Sequence, residues 1–337
     1  MARTLARIAE DGIEVFYRGE IAQTIAADME RGGGLLTLAD LGGTATEDSE
    51  PLWGEYRGQR IATNPPPGGG IMLVEMLNIL ENFDLAAMGH NSPEYIRVVC
   101  EAMKRATIDK DAHVSDPAFA PIPAHLTDKA YAAEAADAIK RGEVAHVERL
   151  GLGGQAESPH TTHISVIDGD GGAVAMTHSL GMPSGVISDG MGFMYNGCMA
   201  VFDPRPGRTG SIAAGKSRFS SICPTMVFKG NDPYLVIGAP GGTQIAMGVL
   251  QAILNVVDFA MAMDRAVAAP RFSATSDAID ISNRIPRYTA SALEAMGYDV
   301  IRSYLGYTIA AVHGIKIEGG ALEGGADPGH DGMALEV

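Results

Sequence analysis

Residues 161–180 read TTHISVIDGDGGAVAMTHSL, and the ten residues before them, 151–160, read GLGGQAESPH. Apolar residues alternate with smaller or polar ones in both halves of the first stretch, which predicts two β-strands. The glycine-rich run between the halves, residues 168–172, predicts the turn of a hairpin. The preceding ten residues are small and polar without periodicity, which predicts a flexible linker. The sequence therefore predicts a strand that opens at Thr161, directly after a linker.

A linker that ends at a threonine opening a strand is the arrangement that a self-cleaving hydrolase needs. The hydroxyl of Thr161 can attack the peptide bond before it, and the α-amine released there can then act as general base for the same hydroxyl. Two threonines at a strand start are also common in ordinary hairpins. These residues alone therefore leave both interpretations open.

Composition excludes several classes of protein. The chain has 337 residues, of which 46% are apolar and 20% charged, so it can bury a large core and is not intrinsically disordered. It carries 25 basic and 41 acidic residues, a formal charge of −16, which argues against nucleic acid or an anionic membrane as partner. Cys100, Cys198 and Cys223 are too scattered for a disulfide framework or a zinc site, and we expect all three to be buried.

No targeting or membrane-spanning segment is apparent in the chain as given. Residues 1–16 lack a long apolar core and a small-residue cleavage site, so they do not resemble a signal peptide, and we expect a cytoplasmic location. The most apolar stretch, residues 247–263, is interrupted by Gln251, Asn255 and Asp258 on one helical face. That pattern predicts a core helix with a polar stripe.

The first half of the chain is predicted to be mainly helical and the second half richer in strands, with a shift in composition at Leu150. The predicted helices are at residues 5–9, 21–29 (ended by three glycines), 71–85 (amphipathic), 92 to about 106, and from 245 onward. The predicted strands are a hairpin at 53–63, the pair after 161, and segments at 225–229, 234–239, near 280, near 300 and at 310–317.

Several motifs, in this order along nearly the whole chain, resemble those of the gamma-glutamyltranspeptidase family. They include the run from Thr161 to Thr177 with its GDGG turn, and the following stretches: FYRG 16–19, GEYR 54–57, PPP 65–67, FSSICPT 219–225, GAPGG 238–242, APRF 269–272 and GADP 325–328. This resemblance implies an N-terminal nucleophile hydrolase with a four-layer αββα sandwich, incomplete at its N-terminus. Residues 1–160 would then match the end of the large-subunit region and residues 161–337 the small-subunit region.

The resemblance also implies roles for individual residues. Thr161 matches the family's nucleophile and the new N-terminus, with the cut between His160 and Thr161. Ser179 matches a threonine whose hydroxyl hydrogen-bonds the nucleophile, and serine keeps that hydroxyl. Gly241 and Gly242 match the oxyanion-hole glycines, whose backbone N–H groups face developing negative charge.

Substrate contacts show both matches and departures. Ser220 and Ser221 match serines that hold the glutamyl α-carboxylate. The positions that hold the glutamyl α-amine in typical members, a Gln, an acidic residue and usually an Asn, fall here on Cys198, Val201 and Gly181. An ammonium needs a carboxylate or several acceptors. The reaction chemistry is therefore predicted to be kept and the amine clamp to be lost.

Typical members also carry more chain before the segment that matches Met1, including an arginine that pairs with the substrate carboxylate. We expect part of one sheet and one pocket wall to be missing or supplied from elsewhere, with a truncated frame, a fragment and a split gene all left open. No cofactor and no metal are expected. The Asp168 turn lacks the calcium-loop glutamate, and the resemblance places Asp327, near His330 and Asp331, in a structural turn.

These features predict an amide hydrolase or acyltransferase that forms an acyl-enzyme on Thr161. The family favours gamma-glutamyl transfer and glutathione hydrolysis, whereas the altered clamp favours another small carboxylate-bearing amide, such as oxamate or an acylated amino acid. Water or an amine would accept the acyl group. The large and small fragments of the same chain are the expected protein partners, and a homodimer is left open. The alternative is an unprocessed, non-catalytic homologue.

Overall fold

The computed structural model describes residues 1–148 and 160–336, so most of the predicted linker at 151–160 lies outside the described residues. The helices are α1 Ala2–Asp11, α2 Glu14–Tyr17, α3 Glu20–Gly32, α4 Leu38–Gly43, α5 Gly70–Leu80, α6 Leu85–Met88, α7 Pro93–His113, α8 Lys129–Lys140, α9 Ile245–Val257, α10 Met263–Ala268 and α11 Arg287–Ala295. The strands are β1 Leu52–Tyr56, β2 Gln59–Thr63, β3 Thr161–Ile167, β4 Ala173–Ser179, β5 Thr225–Lys229, β6 Asp232–Gly238, β7 Phe272–Ser273, β8 Ile279–Ile281, β9 Val300–Arg302, β10 His313–Glu318 and β11 Ala321–Ala326.

Residue contacts divide the chain into two units. The first unit comprises Met1–Glu50 and Met182–Ala200, and the second comprises Pro51–Gly181 and Val201–Val337. The first unit has its own small core, built from Val15, Ile21, Ala22, Ile25 and Leu41 of the N-terminal helices. Within it α3 ends as the glycine run predicts, with Gly33 in the left-handed region at φ 71°. This division follows contacts, whereas the boundary at 160/161 concerns cleavage and stays a prediction.

The second unit is built on a six-stranded antiparallel sheet in the order β1-β2-β5-β6-β10-β11. The predicted first hairpin is confirmed, and Arg57 and Gly58 turn it with φ values of 52° and 73°. Strand β6 is buried at every position from Tyr234 to Gly238. Because strand side chains alternate between faces, both faces of the sheet are covered at β6.

Helices cover one face of this sheet. Every residue of α5 is buried, and the helix packs against β1, α7, α8 and α9, so the amphipathic interpretation of residues 71–85 is wrong: the helix is surrounded and ends at Leu80. The core helix predicted from Ile245 is confirmed as α9, and its polar residues are buried and bonded. Gln251 Nε2 donates to the carbonyl oxygen of Phe272 at 2.8 Å, and Asn255 Nδ2 donates to that of Ala266 at 3.0 Å.

The hairpin of β3 and β4 forms a separate two-stranded sheet against the other face, packed on β6 and β10. Its inward face carries mainly small and polar residues, while four large apolar residues are exposed on the other face: Ile164, Val166, Val174 and Met176. In this unit, helices, the six-stranded sheet and the two-stranded sheet therefore form three successive layers. The hairpin thus buries its more polar face and exposes its more apolar one. This is unusual, because an alternating strand normally buries its apolar side.

Three short strands form a third sheet in the order β7-β8-β9. The sequence indicated β8, β9 and β10 but not β7 or β11, because a two-residue strand and the glycine-containing ALEGGA strand give weak patterns. Helix α7 runs to His113, beyond the predicted end near residue 106. Among the described residues, none of the helices combines the length and the apolar character that a membrane span requires.

Candidate active site

Thr161 is the first residue of β3, and its side chain is held against the end of β4. It pairs in register with Ser179, and the two hydroxyl oxygens, Thr161 Oγ1 and Ser179 Oγ, are 2.8 Å apart. Thr161 is only 4% exposed, although His160 immediately before it is exposed. A hydroxyl that opens a strand is thus fixed in position directly after an exposed residue.

Ser179 has a second partner that restricts the direction of its hydrogen bond. Its Oγ accepts the backbone N–H of Gly181 at 2.8 Å. A serine hydroxyl has one proton and two acceptor positions, so Ser179 can either donate to Thr161 or accept from it while the bond to Gly181 remains. The hydroxyl can therefore follow a change of charge on Thr161 Oγ1 without moving.

His163, two residues after Thr161 on the same face of β3, is held by hydroxyl groups on both sides. Its Nδ1 is 2.7 Å from Thr177 Oγ1, and its Nε2 is 3.0 Å from Ser165 Oγ. Ser165 donates its own proton to the carbonyl of Val236 at 3.1 Å, so it accepts from the His163 Nε2–H, and Nδ1 accepts from Thr177. The sequence analysis assigned this histidine no role. Its position two residues after Thr161, on the same face of the predicted strand, could have indicated that it lies in the site.

The room for this imidazole comes from the neighbouring sheet. A Cβ at Gly238, the last residue of β6, would lie 2.3 Å from the His163 ring, so only glycine fits there. Burial, with a smaller contribution from nearby His313, lowers the pKa of His163 to about 4. His163 is therefore neutral near pH 7 and is not placed to act as a general base that titrates in that range.

This lowered pKa predicts a loss of stability on acidification. The unfolded state binds a proton at His163 near pH 6.5 and the folded state only near pH 4, so stability falls as the pH drops through that window. Since one pKa unit corresponds to about 1.4 kcal/mol, we expect His163 to account for about 3 kcal/mol of that loss. Denaturant unfolding at several pH values, in an uncut Thr161→Ala background, measures it.

His163→Gln in the same background is the matched comparison. Burial also lowers the pKa of His90 and His313, so the parent protein and the variant share those contributions and differ only at His163. The variant should lose less stability between pH 6.5 and pH 4. Equal losses in the two proteins would contradict the assignment.

The turn after β6 contains two glycines. Gly241 caps a 3-10 helix, Gly242–Gln244, that directly precedes α9. Gly241 has φ 147° and Gly242 φ 56°, both values that favour glycine. Within residues 1–148 and 160–336, neither N–H donates to an acceptor. Gly238, three residues earlier, touches the His163 ring, so the turn leaves the sheet beside β3. These donors have the character that the oxyanion assignment requires, and that role stays a prediction.

Ser220 and Ser221 lie in the segment before β5 and contact the proline- and glycine-rich turn that precedes α5. Ser220 N–H donates to the Pro67 carbonyl at 2.8 Å, and Gly69 N–H donates to the carbonyl oxygen of Ile222 at 3.0 Å. A Cβ at Gly69 would come within 2.6 Å of the Ser221 carbonyl oxygen. The tight fit holds the two serines in place, and their assignment to a substrate carboxylate stays a prediction.

The positions of the altered amine clamp lie in two stretches of the chain, with Gly181 shortly after β4. Cys198 and Val201 bound a 3-10 helix, with Cys198 in the first unit and Val201 in the second. The expectation that the cysteines are buried is wrong for Cys198, which is half-buried, because its helix has no buried residue. Burial raises the pKa of the Cys223 thiol to about 11. The specificity roles of Cys198, Val201 and Gly181 stay predictions.

No set of three or more His, Cys, Asp or Glu side chains in the described parts of the chain converges as a metal site. Asp327 instead forms a buried ion pair with Arg271. Arg271 belongs to the quoted APRF motif, but its partner is 56 positions away, and no local pattern pairs the two.

Comparisons with known proteins identify the fold and the family of this chain. Cephalosporin acylase from Bacillus halodurans superposes with a TM-score of 0.86 at 28% identity, over 98% of this chain and 61% of that one. The fold is therefore that of the N-terminal nucleophile hydrolases, as predicted. The whole chain, residues 1–337, also matches the family described as gamma-glutamyltranspeptidase. The chain belongs to the gamma-glutamyltranspeptidase family.

Two curated relatives show how much of the family's length is present. The glutathione hydrolase proenzyme of Escherichia coli (strain K12) is 35% identical over 97% of this chain and 59% of its own length. The Acylase ACY 1 proenzyme of Pseudomonas sp. (strain V22) is 39% identical over 90% of this chain and 54% of its own length. The chain thus spans between half and two thirds of the length of these relatives.

Proposed function

We propose that the chain is an amide hydrolase of its family that cuts itself between His160 and Thr161 and then uses Thr161 as its nucleophile. The observation that carries the proposal is the buried Thr161 hydroxyl, 2.8 Å from the hydroxyl of Ser179 at the first position of β3. Relatives named as proenzymes, one a glutathione hydrolase and one an acylase, support both the processing and the class of reaction.

Self-cleavage proceeds in two balanced steps. Thr161 Oγ1 attacks the carbonyl carbon of His160, the C–N bond breaks, and the proton of the hydroxyl passes to the released amine, which leaves an ester. Water then hydrolyses this ester and returns the hydroxyl. Ser179 can hydrogen-bond Oγ1 in each state, since its hydroxyl either donates or accepts.

The mature reaction uses the same hydroxyl with a new base. The freed α-amine of Thr161 takes the hydroxyl proton while Oγ1 attacks the substrate amide, and that proton passes to the leaving amine. The N–H groups of Gly241 and Gly242 supply donors for the oxyanion. Water, or a second amine, then takes the acyl group from Oγ1. His163 stays neutral throughout and holds Thr177 and Ser165 on the inward face.

A second candidate concerns the substrate rather than the reaction. The two positions that would face a glutamyl ammonium are Cys198 and Val201, and neither is an aspartate or a glutamate. The 39% identity to an acylase is consistent with an acyl group that lacks the amine. We therefore propose a small amide that carries a carboxylate near Ser220 and Ser221 and lacks the α-ammonium of a glutamyl group.

Denaturing electrophoresis of the purified chain tests the self-cleavage. We expect fragments of 160 and 177 residues, which together make the 337 of the intact chain, with threonine at the N-terminus of the second. Thr161→Ala should give one uncut band. Thr162→Ala is the matched control, because Thr162 is exposed on the opposite face of β3 and should leave cleavage unchanged.

Two results would overturn the proposal. A wild-type chain that stays intact after prolonged incubation would favour a non-catalytic homologue. A Thr161→Ala chain that is cut at the same bond would show that another group, or a contaminating protease, makes the cut.

A further inference from the structure

Arg271 is a buried cation that donates to two successive carbonyl groups of one loop, to a carboxylate, and to the Val267 carbonyl of α10. It is 3% exposed, and its Nη2 donates to the carboxylate of Asp327, which is 2% exposed. Its Nε donates to the carbonyl of Ile309 at 2.9 Å, and its Nη2 donates to that of Ala310 at 2.8 Å. The guanidinium therefore joins a buried carboxylate to two successive carbonyl groups.

Those carbonyl groups belong to backbone in an unfavourable conformation. Ile309 has φ 69° and Ala310 has φ 58°, both in the left-handed region. A β-branched residue such as isoleucine rarely adopts such values, because its side chain crowds the backbone. Two neighbouring residues hold this conformation only when their surroundings impose it. The forked bonds from Arg271 are such a constraint, since a guanidinium fixes the directions of several acceptors at once.

The constrained loop lies directly against the glycine turn of the candidate site. A Cβ at Gly241 would lie 2.5 Å from Ala310 Cα, and one at Gly248 of α9 would lie 2.7 Å from Ala310 Cβ. The N–H of Ala311 donates to the Pro240 carbonyl at 2.9 Å. Ala310 thus fills the space between the turn and α9, and the loop holds the turn by a hydrogen bond.

From this geometry we infer that Arg271, with Asp327, is a positioning residue for the oxyanion turn Gly241–Gly242. It acts through the strained loop at 309–311 and touches no substrate. The inference rests on the proposed function, because it presupposes that the Gly241–Gly242 turn stabilises the oxyanion. If the loop relaxed, the Ala311 bond to Pro240 would weaken and the two glycine N–H groups would lose their fixed direction.

Arg271→Lys tests this with Arg57→Lys as matched control. Lysine keeps the charge opposite Asp327 but cannot direct several donors at neighbouring carbonyl groups. Arg57 has the same chemistry elsewhere: it pairs with Asp258 and donates to the carbonyl groups of Glu81 and Phe83. A general loss of the fork between a carboxylate and two carbonyl groups would affect both variants, whereas a positioning role is specific to Arg271.

In mature enzyme whose active-site concentration has been determined by titration, we expect Arg271→Lys to lower kcat by about tenfold to hundredfold. A displacement of the glycine N–H groups by about 1 Å can cost that much. KM should stay close to wild type, because the carboxylate contacts at Ser220 and Ser221 are untouched. Arg57→Lys should lower thermal stability and leave kcat and KM unchanged. Asp327→Asn should reproduce the kcat effect more weakly.

Hydrogen exchange supplies a readout that needs no activity. In the uncut Thr161→Ala background, Arg271→Lys should speed exchange of the Ala311 amide, which donates to Pro240, with the β3–β4 hairpin unchanged. Unchanged exchange at Ala311, or a kcat equal to that of Arg57→Lys, would overturn the inference. A wild-type chain that is uncut or inactive would instead overturn the proposed function, while the exchange result would still stand.

Discussion

Gly241→Ala should reduce kcat by about 10²–10³-fold, the usual cost of removing one oxyanion donor. The added Cβ would meet Ala310 Cα at 2.5 Å, and φ at this position is 147°, so the turn has to move. Because self-cleavage passes through the same kind of oxyanion, fragments should also appear about 10²–10³-fold more slowly. The rate of fragment formation and the kcat of mature enzyme measure the two effects separately.

Gly230→Ala controls for the strain of placing alanine in the left-handed region. Gly230 has φ 64° and open space around it, in the turn between β5 and β6. It should lose stability without losing cleavage or turnover. A folded Gly241→Ala protein whose kcat stays within about tenfold of wild type would remove the turn from the mechanism.

Mature enzyme should hydrolyse glutaryl-p-nitroanilide about a hundredfold better than gamma-glutamyl-p-nitroanilide, as judged by kcat/KM. The two substrates differ only in the α-ammonium, which would meet Val201 where an acidic side chain is typical. Leaving a charged group unpaired costs more than the roughly 1–3 kcal/mol of a neutral group. Since 1.4 kcal/mol is a factor of ten, a cost of about 3 kcal/mol gives this ratio.

Val201→Asp is the informative variant for this specificity. A carboxylate there should pair with the ammonium, raise kcat/KM for the gamma-glutamyl substrate and lower it for the glutaryl one. Preference of the wild-type enzyme for the gamma-glutamyl substrate by tenfold or more would show that another group holds the amine. The proposal of an altered acyl group would then be withdrawn in favour of gamma-glutamyl transfer.

Local patterns predicted the local elements of this fold. Alternation and the GDGG run predicted β3 and β4, with the first strand opening at Thr161, and the pattern of residues 53–63 predicted the first hairpin. These features depend on residues close in sequence, where turn chemistry and strand period are sufficient. The α9 prediction succeeded for the same reason, since its polar stripe has helical spacing.

Features that depend on distant residues were not predictable in the same way. The pairing of β2 with β5 joins residues more than 160 positions apart, and α5 is surrounded by elements from both halves of the chain. A single sequence does not say which strands become neighbours, so the burial of α5 on all sides was missed. Motif resemblance singled out Thr161 and Ser179 as candidates, whereas the partners of His163 and Arg271 became apparent only in the structure.

The pairing of β2 with β5 also affects how the matured protein can come apart. Residues 60–63 lie before the predicted cut and residues 225–228 after it, yet they form one continuous ladder. A cut chain would therefore stay assembled without a covalent link. Refolding of the intact chain is a first-order reaction, whereas reassembly of separated pieces is second-order and slows with dilution. Maturation would thus make the lifetime of the assembled form depend on its unfolding rate rather than on an equilibrium.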